Sequence, residues 1–106
     1  MRPLQSVKEF NELKNNEKAI FLFTAGWCPD CRFIEPILPE IEDKYPEYTL
    51  VEVNRDEFME LAQENEIYGI PSFVAYEKGL EVGRFVSKDR KTKEEIISFI
   101  DGFAKV

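Results

Sequence analysis

Hydrophobic residues in this chain switch between two spacings. Val7, Phe10 and Leu13 recur at intervals of three behind Ser6-Val7-Lys8-Glu9. That interval lines one face of a helix, and Ser-x-x-Glu is a capping box, so a helix is predicted over Val7 to Asn15. Ala19 to Thr24 is instead an unbroken apolar run rich in Ile and Phe. Without polar alternation it suits a central strand buried on both faces. Beyond Pro29, the residues Phe33, Ile34, Ile37, Leu38, Ile41 and Tyr45 return to helical spacing, predicting a helix to about Lys44. Pro29 fits its first turn, where a missing N–H costs nothing, while Pro36 and Pro39 predict a kink.

Thr49 to Asn54 reads as a second strand, and Glu57 to Asn65 as a short helix capped by Asp56. Ser72 to Tyr76 and Val82 to Val86 read as strands joined by the loop Glu77 to Glu81, where Gly79 can take positive φ. Thr92-Lys93-Glu94-Glu95 is another capping box, and Ile96, Ile97, Ile100, Phe103 and Ala104 supply the apolar face of a last helix. The order α-β-α-β-α-β-β-α starts as a parallel βαβ unit and ends in a hairpin. It predicts an α/β fold with a four-stranded or five-stranded mixed central sheet and helices on both faces.

Length adds that residues 1–106 form one domain, large enough for a core that needs neither metal nor a disulfide scaffold. Charge adds an exclusion: the net value of −7 repels phosphate backbones, so no nucleic-acid partner is expected. No apolar run approaches the roughly 18 residues of a membrane span, so no membrane partner is expected either. The first twenty residues lack a signal-peptide pattern, which predicts a cytoplasmic protein, and the absence of a long apolar surface segment predicts a monomer. Histidine is absent, which removes His-based acid–base chemistry, Ser-His-Asp and Cys-His nucleophiles, and nearly all zinc enzymes.

What chemistry remains converges on Cys28-Pro29-Asp30-Cys31, placed where a buried strand ends and a helix begins. Cysteines three apart on a first turn can close a small disulfide ring. The first faces the helix N-terminus, whose unpaired N–H groups and positive dipole end favour a thiolate, the reacting species. A zinc site needs about four ligands and the chain has two cysteines and no histidine, so no metal is expected. A dithiol redox motif is the reading that remains.

Phe23-Thr24-Ala25-Gly26-Trp27-Cys28-Pro29-Asp30-Cys31, then Pro36, Asn54-Arg55-Asp56, Gly69-Ile70-Pro71 and Gly79, in that order and spacing, resemble the thioredoxin family from about Lys18 to Val106. The WCPDC variant resembles small cytosolic bacterial thioredoxin-like proteins and the WCPDC thioredoxin-related proteins of eukaryotes. The resemblance implies a thioredoxin-like fold and a thiol–disulfide oxidoreductase with no bound cofactor. By position, Cys28 would be the exposed attacking thiolate and Cys31 the buried resolving thiol. Pro71 would be a cis-proline beside the sulfurs, and with Ile70 would offer backbone to an extended substrate. Trp27 would form a hydrophobic rim, where the residue alone allows a partly buried core aromatic. Pro29 and Asp30 complete the expected substrate-binding set. The implied partners are disulfide-containing protein substrates and an NADPH-dependent thioredoxin reductase.

Three departures change the picture. Between the cysteines the family usually has Gly-Pro, and here Pro29-Asp30 stands. Asp30's charge opposes a neighbouring thiolate, which predicts a more reducing couple; alternatively it only complements the helix dipole. The family's buried Asp, six residues before the first cysteine, is Leu22, and its lysine companion on the next strand is Glu52. Glu52 is therefore a candidate base for Cys31, or else a solvent-facing strand residue. After Val86, the loop Ser87-Lys88-Asp89-Arg90-Lys91 with Lys93 concentrates cations, either as a solvated loop or as a device steering acidic substrates. Protein disulfides are the leading substrate class. Mixed disulfides of low-molecular-weight thiols, and a non-catalytic binding module on the same surface, are the rivals.

Overall fold

A computed structural model describes residues 1–104. The apolar run forms strand β2 (Lys18–Thr24), the middle strand of the sheet, and five of its seven residues are buried because helices cover both faces. Parallel to it lies β3 (Thr49–Asn54), and antiparallel to it β4 (Ser72–Glu77), which pairs in turn with β5 (Leu80–Phe85). A fifth strand, β1 (Arg2–Pro3), runs parallel to β3 at the edge, giving the order β1-β3-β2-β4-β5. The sheet therefore has five strands. Two residues are too few to show a period, so β1 is invisible in the hydrophobic pattern; its pairing is continued by Leu4 N–H donating to Glu52 C=O at 2.8 Å.

Helix α1 (Val7–Asn16) begins at Ser6, whose hydroxyl accepts from Glu9 N–H at 3.1 Å. The second half of the expected capping box does not form. Glu9 instead accepts from Gln5 N–H at 2.8 Å and from Arg2 at 2.7 Å, tying β1 to the helix. The helix expected from Pro29 is interrupted as Pro36 and Pro39 require: α2 (Pro29–Ile34), a 3-10 turn (Glu35–Ile37), then α3 (Leu38–Lys44). Helix α4 (Met59–Glu64) starts two residues later than expected, and Asp56 does not cap it. Asn54 satisfies the local N–H groups instead, accepting from Asp56 at 2.9 Å and Glu57 at 3.0 Å.

The β4–β5 hairpin is also tighter than expected. Its turn is Lys78-Gly79, both at positive φ (49° and 92°), a two-residue connection whose twist matches the strands. The turn is held to the end of α1 by Lys78 N–H to Glu17 C=O and Gly79 N–H to Lys14 C=O.

Two apolar layers result. Phe21, Phe23, Val51, Val53 and Val74 face Phe10 and Leu13 of α1 and Leu61 and Ala62 of α4. Leu22, Leu50, Phe73 and Ala75 face Ile34, Leu38 and Ile41, together with Ile96 and Ile100 of α5 (Lys93–Asp101). The last helix stops at Asp101, so Phe103 and Ala104, expected on its face, follow its C-terminus. Its capping box is complete: Thr92 hydroxyl accepts from Glu95 N–H and Glu95 carboxylate from Thr92 N–H. Thr92→Ala is expected to cost about 1 kcal/mol of stability, measured by denaturant unfolding. A loss below a few tenths would mean the box contributes nothing.

Candidate active site

The two cysteines stand where β2 hands over to α2. Strand β2 ends at Thr24, the chain crosses Ala25-Gly26-Trp27, and α2 begins at Pro29 with Cys28 as its N-cap. A Ser or Asp oxygen usually fills that role; here the Cys28 sulfur accepts from Cys31 N–H at 3.2 Å. A sulfur so placed meets the electropositive end of the helix and one of its unpaired donors, an arrangement suited to a negative sulfur.

Burial separates the two thiols from solvent, and more completely than expected for Cys28. Cys28 retains 5% exposure and Cys31 1%. The expectation of an exposed Cys28 is thus corrected: its sulfur is tucked against the Ile70 carbonyl, 3.9 Å away. Burial pushes the Cys31 thiol up to about 11, and its hydrogen bond with Cys28 acts in the same direction. The Thr24 hydroxyl and the Ala25 backbone pull the other way without overcoming it. Cys31 therefore holds its proton at neutral pH.

Opposite the sulfurs, Ile70-Pro71 is a cis peptide, as the resemblance implied, and both residues are buried. The edge is braced from behind. Ser72 hydroxyl donates to Gly69 C=O at 2.6 Å and accepts from Ser87 N–H at 3.3 Å. Gly69 lies so close to the loop after β5 that a Cβ there would sit 2.5 Å from Lys88 N and Ser87 C.

Trp27 is a rim residue, not a core aromatic: it is 61% exposed. Its indole N–H donates to Asp56 at 2.7 Å, and the Arg55 guanidinium lies over its ring at 5.3 Å while also pairing with Asp56. Asp56, read from the sequence as a helix cap, is thus a Trp27 anchor. The signal that could have found it is topological. Parallel strands β2 and β3 bring their C-terminal ends together, and Arg55 N–H donates to Thr24 C=O at 2.8 Å.

On the other flank, Asp30 does not present a lone negative charge. Arg90 Nε reaches its carboxylate at 2.8 Å and the guanidinium covers the Phe33 ring at 4.3 Å. The Asp30 carboxylate is therefore not an unopposed charge beside Cys28, which was the basis for expecting a more reducing couple. Nor is the cationic loop simply solvated: Arg90 is paired with Asp30, Lys91 is buried, Lys93 pairs with Glu40, and Lys88 is exposed. Pro29 is exposed at the mouth of the motif. Glu52 is half-buried on β3, in register with Leu22 of β2. That face of β2 continues to Thr24, whose hydroxyl reaches Cys31.

Among the described residues no helix is long and apolar enough to cross a membrane. Residues 4–102 match the family model Thioredoxin. Thioredoxin-2, mitochondrial, of Schizosaccharomyces pombe is 28% identical over 92% of this chain and 77% of its own length. Thioredoxin H5 of Arabidopsis thaliana is 35% identical over 87% of this chain and 74% of its own. In three dimensions the chain superposes on Plasmodium falciparum thioredoxin with a TM-score of 0.86, covering 98% of this chain and 100% of that one at 24% identity, a likeness of fold. With its dithiol at a helix N-terminus facing a cis-proline edge, the chain belongs to the thioredoxin family of thiol–disulfide oxidoreductases.

Proposed function

We propose that the protein is a reductase of protein disulfides in which Cys28 attacks and Cys31 resolves. The observation that carries this reading is the inequality of the two thiols. Cys28 Sγ sits on the helix N-terminus beside the Ile70 carbonyl, while the deeper Cys31 holds its proton. Cys28 thiolate attacks one sulfur of the substrate disulfide, and the other sulfur leaves as a thiolate that takes up a proton. Cys31 then loses its proton and attacks Cys28 sulfur. The reduced substrate leaves as a second thiolate, and the Cys28–Cys31 disulfide holds the two-electron deficit. The substrate's extended backbone lies along Ile70-Pro71, with Trp27, Pro29 and Asp30 framing the approach. An NADPH-dependent thioredoxin reductase returns the dithiol form, in a reducing compartment that we take to be the cytoplasm.

Insulin reduction tests this by turbidity, first with dithiothreitol, then with NADPH and thioredoxin reductase. Precipitation in both is expected. Activity with dithiothreitol but not with reductase would overturn the partner and keep the chemistry. Inactivity in both, with Cys28 unreactive towards alkylating agents, would leave a binding module.

The proton of Cys31 needs an acceptor, and Glu52, on the face of the sheet that runs through Leu22 to Thr24, takes it. Without a base, the resolving rate should climb about tenfold per pH unit up to the Cys31 value, because only the thiolate reacts. With Glu52 acting as base, the wild-type profile is flatter, and Glu52→Gln restores the steep dependence while slowing resolution near neutral pH about tenfold or more. Stopped-flow decay of the mixed disulfide measures both. Superimposable profiles would remove Glu52 from the mechanism.

A further inference from the structure

Among the described residues, Lys91 is the one charged residue with a fully buried large side chain, at 1% exposure. Lysine is almost never buried to this degree without partners, because its ammonium loses hydration. Its partners here are all oxygens of its own loop: Ser87 C=O at 3.2 Å, Ser87 hydroxyl at 3.1 Å and Asp89 C=O at 3.0 Å. Three donors meet three acceptors, which winds residues 87–91 into a closed turn around the ammonium. The Phe85 ring closes one side, 4.9 Å from Nζ. Burial holds the ammonium below the ordinary lysine value, while the negative charges of Asp89, Glu95 and Asp30 support it.

This loop touches both halves of the site. Through Arg90 it is joined to Asp30, between the cysteines. Through Ser87 it is hydrogen-bonded to Ser72, and its backbone lies against Gly69. Gly69 directly precedes Ile70, whose carbonyl lies beside Cys28 sulfur. A chain of contacts thus runs from the Lys91 ammonium through Ser87 to the edge along which a substrate must lie.

We propose that Lys91 is a positioning residue for substrate binding: its buried ammonium keeps the 87–91 loop closed, and the closed loop braces Gly69-Ile70 beside Cys28. The inference deepens the reductase reading and rests on it, since it requires that substrates pair with the Ile70 backbone. Lys91→Met keeps the length and removes the donor. Lys91→Arg keeps a charged donor.

A long peptide disulfide uses the edge, whereas 5,5′-dithiobis(2-nitrobenzoate) offers no peptide backbone to it. In dithiothreitol-coupled kinetics, Lys91→Met is expected to raise KM for insulin about fivefold at unchanged kcat, the pattern of lost uniform binding. The rate on the small disulfide stays within about twofold of wild type, and Lys91→Arg recovers part of the insulin KM. Ser87→Ala, which removes one acceptor without burying a new group, should show the same pattern more weakly, and serves if Lys91→Met does not fold. Equal losses on both substrates, or an unmoved insulin KM, overturn the inference while the reductase reading stands. Wild-type protein inactive on insulin overturns both.

Discussion

Cys28→Ser is expected to reduce disulfide reduction to the uncatalysed background, whereas Cys31→Ser is expected to stop the protein halfway. The difference follows from which sulfur the fold presents. Cys28 Sγ caps α2 and lies at the Ile70 edge, so its loss removes the group proposed to attack. Cys31 is deeper, at 1% exposure, and its proton is held until about pH 11, so it takes no part in the first attack. Without it, the mixed disulfide with Cys28 has no internal attacker and accumulates. Incubating Cys31→Ser with insulin, quenching with acid and weighing the products by mass spectrometry should show the covalent adduct in high yield. Cys28→Ser should show none. Adducts of equal yield from the two variants would mean that either sulfur can attack, and the division of roles would fall.

Gly69→Ala should be the most damaging glycine substitution near the site. A methyl group there meets Lys88 N and Ser87 C at 2.5 Å and Lys88 Cα at 2.7 Å, all backbone atoms that cannot rotate away. The loop must move as a body, against the Ser72–Ser87 hydrogen bond and the Lys91 turn. Overpacking of this kind costs about 1–3 kcal/mol and sometimes more. For a domain of this size, 2 kcal/mol corresponds to a melting point roughly 10 °C lower. Gly26→Ala is the matched control, one residue before Trp27, since its Cβ would meet nothing within 4 Å. Calorimetry on the pair should show a large drop for Gly69→Ala and almost none for Gly26→Ala. Similar melting points would mean that the loop yields freely, and the brace behind Ile70 would be a loose one.

These two expectations draw on different kinds of information. The dithiol and its seat at a helix start were legible in the chain because the signal is local: two cysteines three apart, a proline suited to a first turn, and a buried strand just before them; the division of roles between the two sulfurs came only with the family resemblance. Most elements were legible for the same reason. Unbroken apolar runs make buried strands, and intervals of three and four make helices, whatever lies elsewhere in the molecule. The interruption at Pro36 and Pro39 needs only the missing N–H groups of proline. Thr92 and Glu95 form their capping box within one turn of chain.

Contacts between distant residues were not legible. Glu9 was drawn from the expected box by Arg2, which only the edge strand brings near. Asp56 left its expected cap for the indole of Trp27, twenty-nine residues earlier, because the parallel pairing of β2 and β3 puts their ends side by side. Asp30 and Arg90 are sixty residues apart, and neither announces the other. The cationic loop read as a solvated or steering segment because a lysine in sequence carries no mark of burial.

By itself, then, the sequence determined the order of strands and helices apart from the two-residue edge strand β1, the dithiol, and its seat at a helix start, since each follows from backbone sterics and periodicity acting over a few residues. Tertiary structure alone decided that Cys28 is shielded, that Trp27 is exposed and anchored, that Asp30 is paired, and that Lys91 lies inside. The reason is that charge pairing and desolvation depend on which surfaces meet, and those surfaces are assembled only when the sheet closes on its helices.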